Sequence, residues 1–186
     1  MSVETRVVER KGLGLLVVDL LIVAALLAVG AVLRYFTPPF FGITPNLVIG
    51  MYCLAILLLR PKFGGIVGIG LVAAAICQMT TKSLFPFLNF VSEPVGAIAV
   101  GLLAIPNMEA GFLKYVRPFI ITFIGTLVSG FTYISLFKGL AMFVIVAKNP
   151  AFAYLTGVVV VTAVANAILA SVLYFPLKAA LGRTRQ

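Results

Sequence analysis

The sequence contains no histidine and no tryptophan, and only 10% of its 186 residues are charged. Soluble domains carry about 25% charged residues, so this composition excludes a soluble globular protein. The absence of histidine removes the commonest general base, proton relay and metal ligand of proteins. Only five residues are acidic. We therefore predict a protein that is not an enzyme, with no catalytic residue, no metal site and no cofactor.

Cysteine is also scarce, with two residues, Cys53 and Cys77. Both lie inside apolar stretches, without the close spacing of a zinc site or the flanking loops of a disulfide framework. We interpret both as packing residues.

Apolar residues make up 62% of the chain. A helix needs about 20 apolar residues to cross a bilayer, and a charge at mid-bilayer costs roughly 2.5 to 3.5 kcal/mol, so the gaps between charged residues mark the crossings. Six apolar runs follow one another, and only Asp19 interrupts the first: Lys11–Arg34, Arg34–Arg60, Lys62–Lys82, Glu93–Glu109, Arg117–Lys138 and Lys148–Lys178. We predict an all-α membrane protein whose single domain, 1–186, has six transmembrane helices, a tail at 1–11 and a basic tail at 179–186.

Prolines shorten the second run, because Pro38, Pro39 and Pro45 cannot lie inside a regular helix without losing hydrogen bonds. We expect this helix to begin near Asn46 and end near Leu59, after a structured loop.

The fourth run is short, with fifteen residues between Glu93 and Glu109. One of these two carboxylates must lie near a membrane surface or line a polar cavity. The uncharged segment Gly139–Ala147 either extends the fifth helix or folds over the protein as a cap.

The basic residues predict the orientation, because cytoplasmic loops are enriched in lysine and arginine. An even number of crossings places both termini on one side. With the termini in the cytoplasm, ten basic residues are internal and four, Arg34, Lys82, Lys138 and Lys148, are external. The net charge of +9 therefore indicates membrane orientation rather than a nucleic-acid partner. A cleaved signal peptide is the alternative for the first run, whose apolar core exceeds the usual length of roughly 7 to 15 residues.

Small residues recur at helical spacing in four runs, and such stripes allow helices to pack closely in lipid. The stripes are Ala24, Ala28 and Ala31; Gly64 and Gly68; Gly125 and Ser129; and Ala163, Ala167 and Ala170. Internal packing explains any one of them. The alternative is contact with another subunit, for which the first stripe is the candidate because Asp19 lies in the same run. We interpret Asp19 as an interfacial or internally paired carboxylate.

Polar and aromatic residues alternate in the two segments assigned to the external side, between the first and second helices and between the third and fourth. Such a surface can close over a flat, partly polar ligand. An ordinary interfacial belt of aromatic residues is the alternative. Asn166, in the middle of the sixth run, needs a polar partner, which favours a ligand site, and Tyr133 is a candidate to join it.

Three stretches resemble the substrate-binding S components of energy-coupling factor (ECF) transporters, above all the tryptophan type. They are GAVLRYFTPPFFGITPNLVIGMYCLAILLLRPK, from Gly30 to Lys62; MTTKSLFPFLNFVSEPVGA, from Met79 to Ala97; and LTGVVVVTAVANAILASVLYFPLK, from Leu155 to Lys178. The resemblance implies a six-helix protein of a prokaryotic cell membrane. It implies capture of a micronutrient from outside, and association with a coupling membrane subunit and two ABC-type ATPases. The pair Ala24 and Ala28 is similar to the family's AxxxA contact with the coupling subunit.

The matching positions are the Thr80–Thr81 pair, Asn89, Asn166 and Pro94, the last of which is expected to open the fourth helix. The chain departs from the tryptophan type in three places. Pro45-Asn46 replaces Pro-Asp, Ser83-Leu84-Phe85 replaces a glycine pair, and Glu93-Pro94 replaces Lys-Pro.

These observations predict a subunit that binds tryptophan or a related aromatic compound and performs no covalent chemistry. The substrate's carboxylate would pair with Lys82 or Arg34, its ammonium with Glu93, and its ring with Phe87, Phe90 or Tyr133. The predicted substrate-binding residues are Asn46, Thr80, Thr81, Lys82, Phe87, Asn89, Glu93, Tyr133 and Asn166. The alternatives are an S component for another vitamin or micronutrient, a channel or assembly factor without saturable binding, and a membrane enzyme, for which the acidic residues are too few and too scattered.

Overall fold

The computed structural model describes residues 3–38, 45–81, 85–105, 111–143 and 149–184, and in these ranges the protein is helical with no β-strand. The helices are α1 (Val3–Phe36), α2 (Val48–Leu59), α3 (Phe63–Thr80), α4 (Asn89–Ala104), α5 (Leu113–Ala141) and α6 (Phe152–Thr184), with a short 3-10 turn at Pro86–Leu88. Five helices are long and apolar enough to cross a membrane, and α2 is a shorter apolar helix. The predicted all-α bundle of six helices is confirmed.

Helix α2 is the centre of the bundle and contacts all five other helices. Its residues Val48 to Leu57 are all buried. A helix that is apolar on every side lies either inside a protein core or in a membrane, and the burial of α2 places it in the core of the bundle. The prolines before it delay its start to Val48, and at its end Arg60 adopts a left-handed conformation while its N–H donates to the Ile56 carbonyl. The predicted extent of this helix is confirmed.

The connections give the bundle two distinct ends. Gly30, near the end of α1, lies against Val48 and Met51 at the start of α2. Tyr115, at the start of α5, contacts Phe175, towards the end of α6, with 5.6 Å between ring centroids. We call the end of the bundle where Gly30 meets Val48 the Arg34 end, and the end where Tyr115 meets Phe175 the Arg117 end. The first helix begins and the last helix ends at the Arg117 end. Which membrane side this end faces stays a prediction.

The four stripes of small residues divide into two kinds. Ala163, Ala167 and Ala170 are fully buried, and a side chain at Gly125 would meet Val100, so these two stripes pack inside the bundle. Ala24 and Ala28 are exposed on α1. Gly64 and Gly68 on α3 are also exposed, and a Cβ added at either would meet nothing within 4 Å. Internal packing is therefore confirmed for two stripes and wrong for the other two.

Several predicted boundaries change in the structure. Pro94 does not open the fourth helix, because α4 begins at Asn89, directly after the 3-10 turn, and Pro94 lies inside it. Helix α5 ends at Ala141, Met142 and Phe143 follow it in a turn, and residues 144–147 of the candidate extension or cap lie outside the described residues, as does Glu109. The predicted tails largely continue the helices, since α1 begins at Val3 and α6 extends to Thr184.

Candidate functional site

A buried polar cluster lies at the Arg34 end, around the carboxylate of Glu93 on α4. Glu93 is only 2% exposed. The Asn46 side-chain amide donates to its Oε1 at 2.7 Å, and the Ser129 hydroxyl of α5 donates to its Oε2 at 2.9 Å. A carboxylate can lie at this depth only where hydrogen bonds replace its hydration. The prediction that Glu93 or Glu109 lines a polar region therefore holds for Glu93.

Asn46 connects Glu93 on α4 with two further helices, α3 and α6. Its side chain forms hydrogen bonds with the Cys77 thiol of α3. The Cys77 Sγ lies 3.2 Å from Asn46 Nδ2 and 3.4 Å from Asn46 Oδ1. Its backbone carbonyl accepts a hydrogen bond from the Asn166 amide of α6 at 3.0 Å, and that amide also lies 3.4 Å from the Thr126 hydroxyl of α5. One asparagine in front of α2 thus links α3, α4 and α6.

Cys77 is therefore more than the packing residue that we predicted, because its thiol takes part in the polar cluster. Cys53 does belong to the apolar core, where it is fully buried beside Gly125. The two cysteines differ because the core is apolar around α2 and polar next to Asn46.

Four side chains of this region carry buried polar atoms with no hydrogen-bond partner in the described part of the chain. The unsatisfied atoms are Nε and Nη1 of Arg34, the hydroxyl oxygens of Tyr52 and Ser92, and Oδ1 of Asn166. A buried polar group without a partner costs about 1 to 3 kcal/mol. Unsatisfied groups gathered at one place indicate a site that an additional polar molecule can complete.

An aromatic group lies beside the 3-10 turn at the same end of the bundle. The ring of Phe85 lies 6.0 Å from that of Phe87 and 5.7 Å from that of Phe137. The Tyr133 hydroxyl donates to the Phe85 carbonyl at 3.3 Å. Tyr133 does not contact Asn166 through a hydrogen bond, because the amide of Asn166 donates to Asn46 and lies near the Thr126 hydroxyl, so the place of Tyr133 in a ligand site stays a prediction. Phe87 is 53% exposed and presents an open aromatic face.

The remaining predicted site residues lie at the margin of the cluster. Asn89 is buried, and its amide donates to the Pro86 carbonyl at 2.6 Å, which holds the 3-10 turn against α4. The Thr80 hydroxyl donates to the Ile76 carbonyl within α3, and Thr81 ends that helix. Lys82 lies outside the described residues. The structure thus brings Asn46, Glu93 and Asn166 together in one hydrogen-bonded cluster.

Sequence reasoning missed several members of the cluster. Arg34 was considered for the substrate's carboxylate but left out of the predicted set, and Ser129 was interpreted only as a small packing residue. Tyr52 and Thr126 had no interpretation. A usable signal existed, because a polar side chain inside an apolar crossing faces the interior of a bundle and needs a partner there.

The Arg117 end has a different character. A groove of about 300 Å³ lies there between α2, α3 and α4, lined mainly by apolar side chains such as Ile56, Ile66 and Leu102. Arg117 is buried nearby on α5 and donates from Nη2 to the Ala104 carbonyl at 2.6 Å. This interaction places a cation at the carboxyl end of α4, where it stabilises the helix dipole and a terminal carbonyl.

Comparison with known proteins gives a consistent family assignment. The model of the family described as "Tryptophan transporter TrpP" matches residues 17–182. A "Probable tryptophan transport protein" of Bacillus subtilis (strain 168) is 29% identical over 166 residues, which cover 86% of this chain and 89% of that protein. No solved structure matches.

Proposed function

The chain belongs to the TrpP family of tryptophan transporters, which are ECF S components, and we propose on this basis that it captures tryptophan from outside the cell for an ECF-type importer. Membership of the family makes it a multi-pass protein of a prokaryotic cell membrane. The buried polar cluster is the observation that supports a ligand site in this chain, because it combines a buried carboxyl group, a buried guanidinium and unsatisfied polar atoms at one end of the bundle.

The proposed binding site combines the buried polar cluster with the aromatic group. Asn46, Glu93 and Asn166 would supply polar contacts, and Phe87 and Tyr133 would contact the indole ring, since aromatic rings pair favourably at centroid distances of about 4.5 to 7 Å. The predicted residues Thr80, Thr81, Lys82 and Asn89 would line the entrance between α3 and α4. Entry from the Arg34 end follows from the predicted orientation of the termini.

Energy for transport would come from partner subunits. The sequence contains no GxxxxGK[ST] loop for binding nucleotide phosphates. Two ABC-type ATPases would hydrolyse ATP, and a coupling membrane subunit would contact this chain. We propose that the contact includes Ala24 and Ala28, because both are exposed on α1 and small residues allow a neighbouring helix to approach closely.

Ligand fluorescence tests the substrate directly, because the chain has no tryptophan of its own. Adding L-tryptophan to the purified protein should shift the indole emission to shorter wavelength as the ring leaves water. Saturating ligand should also raise the melting temperature, since a ligand that binds only the folded state stabilises it. L-Alanine is the control for non-specific effects of an amino acid. An unchanged spectrum together with an unchanged melting temperature would exclude tryptophan as the substrate.

Accessibility tests the proposed side of entry. Both native cysteines are buried, so a single cysteine introduced as Ser83→Cys should be the one that a membrane-impermeant thiol reagent modifies. We expect modification in intact cells without permeabilisation. Modification only after the cells are opened would place this segment in the cytoplasm and contradict capture from outside at the Arg34 end.

A further inference from the structure

We infer that Arg34 and Glu93 form a receptor for the two charges of an α-amino acid, with Arg34 binding the carboxylate and Glu93 the ammonium. This inference deepens the proposed function and rests on it, because it assigns the chemical groups of the substrate that the site recognises. Binding to this receptor requires the α-carboxylate and the α-ammonium together, whatever the side chain of the amino acid.

Arg34 is the first half of the receptor. Its side chain is only 6% exposed, and its Nε and Nη1 have no hydrogen-bond partner among the described residues. Together these two nitrogens form the edge of a guanidinium that binds a carboxylate through two parallel hydrogen bonds. A buried guanidinium without a partner is unfavourable, so the fold holds this edge ready for an anion that comes from elsewhere.

The chain has few carboxylates, and none among the described residues pairs with Arg34. Its five acidic residues are Glu4, Glu9, Asp19, Glu93 and Glu109. Asp19 lies fifteen residues before Arg34 on α1, which is about 22 Å along the helix, and the two glutamates before it are farther still. Glu109 follows the opposite end of α4. Segments 39–44 and 82–84, which flank the cluster in sequence, contain no acidic residue.

Glu93 is the second half, and it is not paired with Arg34. The charge of Arg34 acts on the Glu93 carboxylate, yet no salt bridge joins the two side chains within the described ranges. Each Glu93 oxygen accepts instead from a neutral donor, Asn46 or Ser129. A buried guanidinium and a buried carboxyl group that lie at the same end of the bundle without direct contact match a ligand that carries both charges in reverse order.

Asn46 explains how the carboxylate remains stable before the ligand binds. Its amide donates to Oε1 of Glu93 at 2.7 Å. A ligand's ammonium group would donate to the same oxygen in its place. Asn46 is partly exposed and lies before the start of α2, outside any helix, so its side chain can turn away without breaking a helical hydrogen bond. The ammonium would then replace a neutral donor by a charged one, and charged hydrogen bonds are about twice as strong.

The test compares three ligands that share the indole ring: L-tryptophan, tryptamine, which lacks the carboxylate, and indole-3-propionate, which lacks the ammonium. Affinities are measured with the full chain in lipid nanodiscs by indole fluorescence. The wild type should bind each incomplete ligand at least about 10-fold more weakly than tryptophan, the loss expected for one charged hydrogen bond. Comparable affinity for all three would overturn the inference without any variant, while tryptophan binding itself would stand.

Two variants assign the charges to the two residues. Arg34→Gln should weaken tryptophan binding about 10- to 100-fold and leave tryptamine within about 3-fold, because tryptamine has no carboxylate to lose. Glu93→Gln should weaken tryptophan similarly and leave indole-3-propionate little changed. Arg117→Gln is the matched control, since Arg117 is equally buried at the other end and should alter no ratio between ligands.

Ratios between ligands keep the test valid when a variant is less stable, because lower stability weakens all ligands together. Arg34→Lys, which retains the charge, provides a second variant and should restore part of the preference for tryptophan over tryptamine. A parallel loss of all three ligands in Arg34→Gln and Glu93→Gln would overturn the inference. If the wild type binds another α-amino acid instead of tryptophan, the proposed substrate fails, and the same comparison with that acid's amine and deaminated analogues decides the inference. Binding of no α-amino acid overturns both.

Discussion

Two arginines, one at each end of the bundle, are buried to almost the same degree and serve different purposes. Arg117 is 3% exposed and donates to the Ala104 carbonyl at the end of α4. Arg34 is 6% exposed, and its Nε and Nη1 have no partner in the described part of the chain. Burial of a charge therefore does not reveal its role. Nε and Nη1 of Arg117 also have no partner in these ranges, so the two arginines differ in their neighbours: a helix-end carbonyl for Arg117, and the polar cluster around the buried Glu93 carboxylate for Arg34.

The first and largest effect should follow from Asn46→Leu at the Arg34 end. The change removes the donor to Glu93 Oε1 and leaves the buried carboxylate with one of its two neutral donors. We expect unfolding to require about 3 kcal/mol less free energy. Urea unfolding in detergent micelles measures this loss. Asn149→Leu is the control, because that side chain is bonded to Lys138 at the surface and its loss should cost less than about 0.5 kcal/mol. Equal losses of unfolding free energy in the two variants would show that the hydrogen bond from Asn46 to Glu93 stabilises the protein no more than a hydrogen bond at the surface.

The second effect concerns close packing against the same cluster. A Cβ added at Gly50 of α2 would lie 2.8 Å from Asn166 Oδ1, so Gly50→Ala must displace the amide that bonds Asn46. We expect a loss of about 2 kcal/mol in stability, together with weaker tryptophan binding. Gly64→Ala is the matched variant, since nothing lies within 4 Å of its added Cβ and alanine favours the helix by about 0.5 to 1 kcal/mol. If Gly50→Ala changed neither the stability nor the affinity for tryptophan, the result would argue against a rigid site at Asn166.

The third effect sharpens the contrast between the two arginines. Arg117→Met removes the hydrogen bond to Ala104 but also removes two buried nitrogens without partners. These changes oppose each other, so we expect a net loss of only about 1 kcal/mol. Thermal unfolding gives the stability, and fluorescence titration should give the same affinity for tryptophan as in the wild type. Selective loss of tryptophan binding in this variant would mean that the two ends of the bundle are not functionally separate.

The smallest effect on the isolated protein should come from the exposed stripe. Ala24→Leu combined with Ala28→Leu changes an outward surface of α1, so stability and ligand affinity should stay within about 0.5 kcal/mol of the wild type. In cells, the variant should copurify poorly with ATPase partners and lose tryptophan uptake. Ala163→Leu is the contrasting change, because Ala163 is fully buried and its replacement should destabilise the protein itself. Normal uptake by the double variant would remove this stripe from the proposed contact.

Sequence patterns predicted much of the fold because the membrane imposes strict rules. Charged residues are so unfavourable in hydrocarbon that the gaps between them delimit the crossings, and prolines placed the start of α2. The same rules identified Glu93, which bounds the short fourth run, and Asn166, which lies inside the sixth run. They did not predict that α4 begins at Asn89 rather than Pro94, because proline is favoured at the start of a helix and costs a hydrogen bond inside it, where Pro94 lies.

The sequence by itself determined that this chain crosses a membrane, where most helices lie, and which polar residues need partners. The tertiary structure decided which partners they have and which stripes face outward. Ala24 and Ala163 are chemically identical and similarly spaced, yet one is exposed and the other buried. In lipid both faces of a helix are apolar, so composition carries little information about which face is inside. Only the packing around α2 distinguishes them, and only that packing leaves Nε and Nη1 of Arg34 buried without a partner in the described ranges.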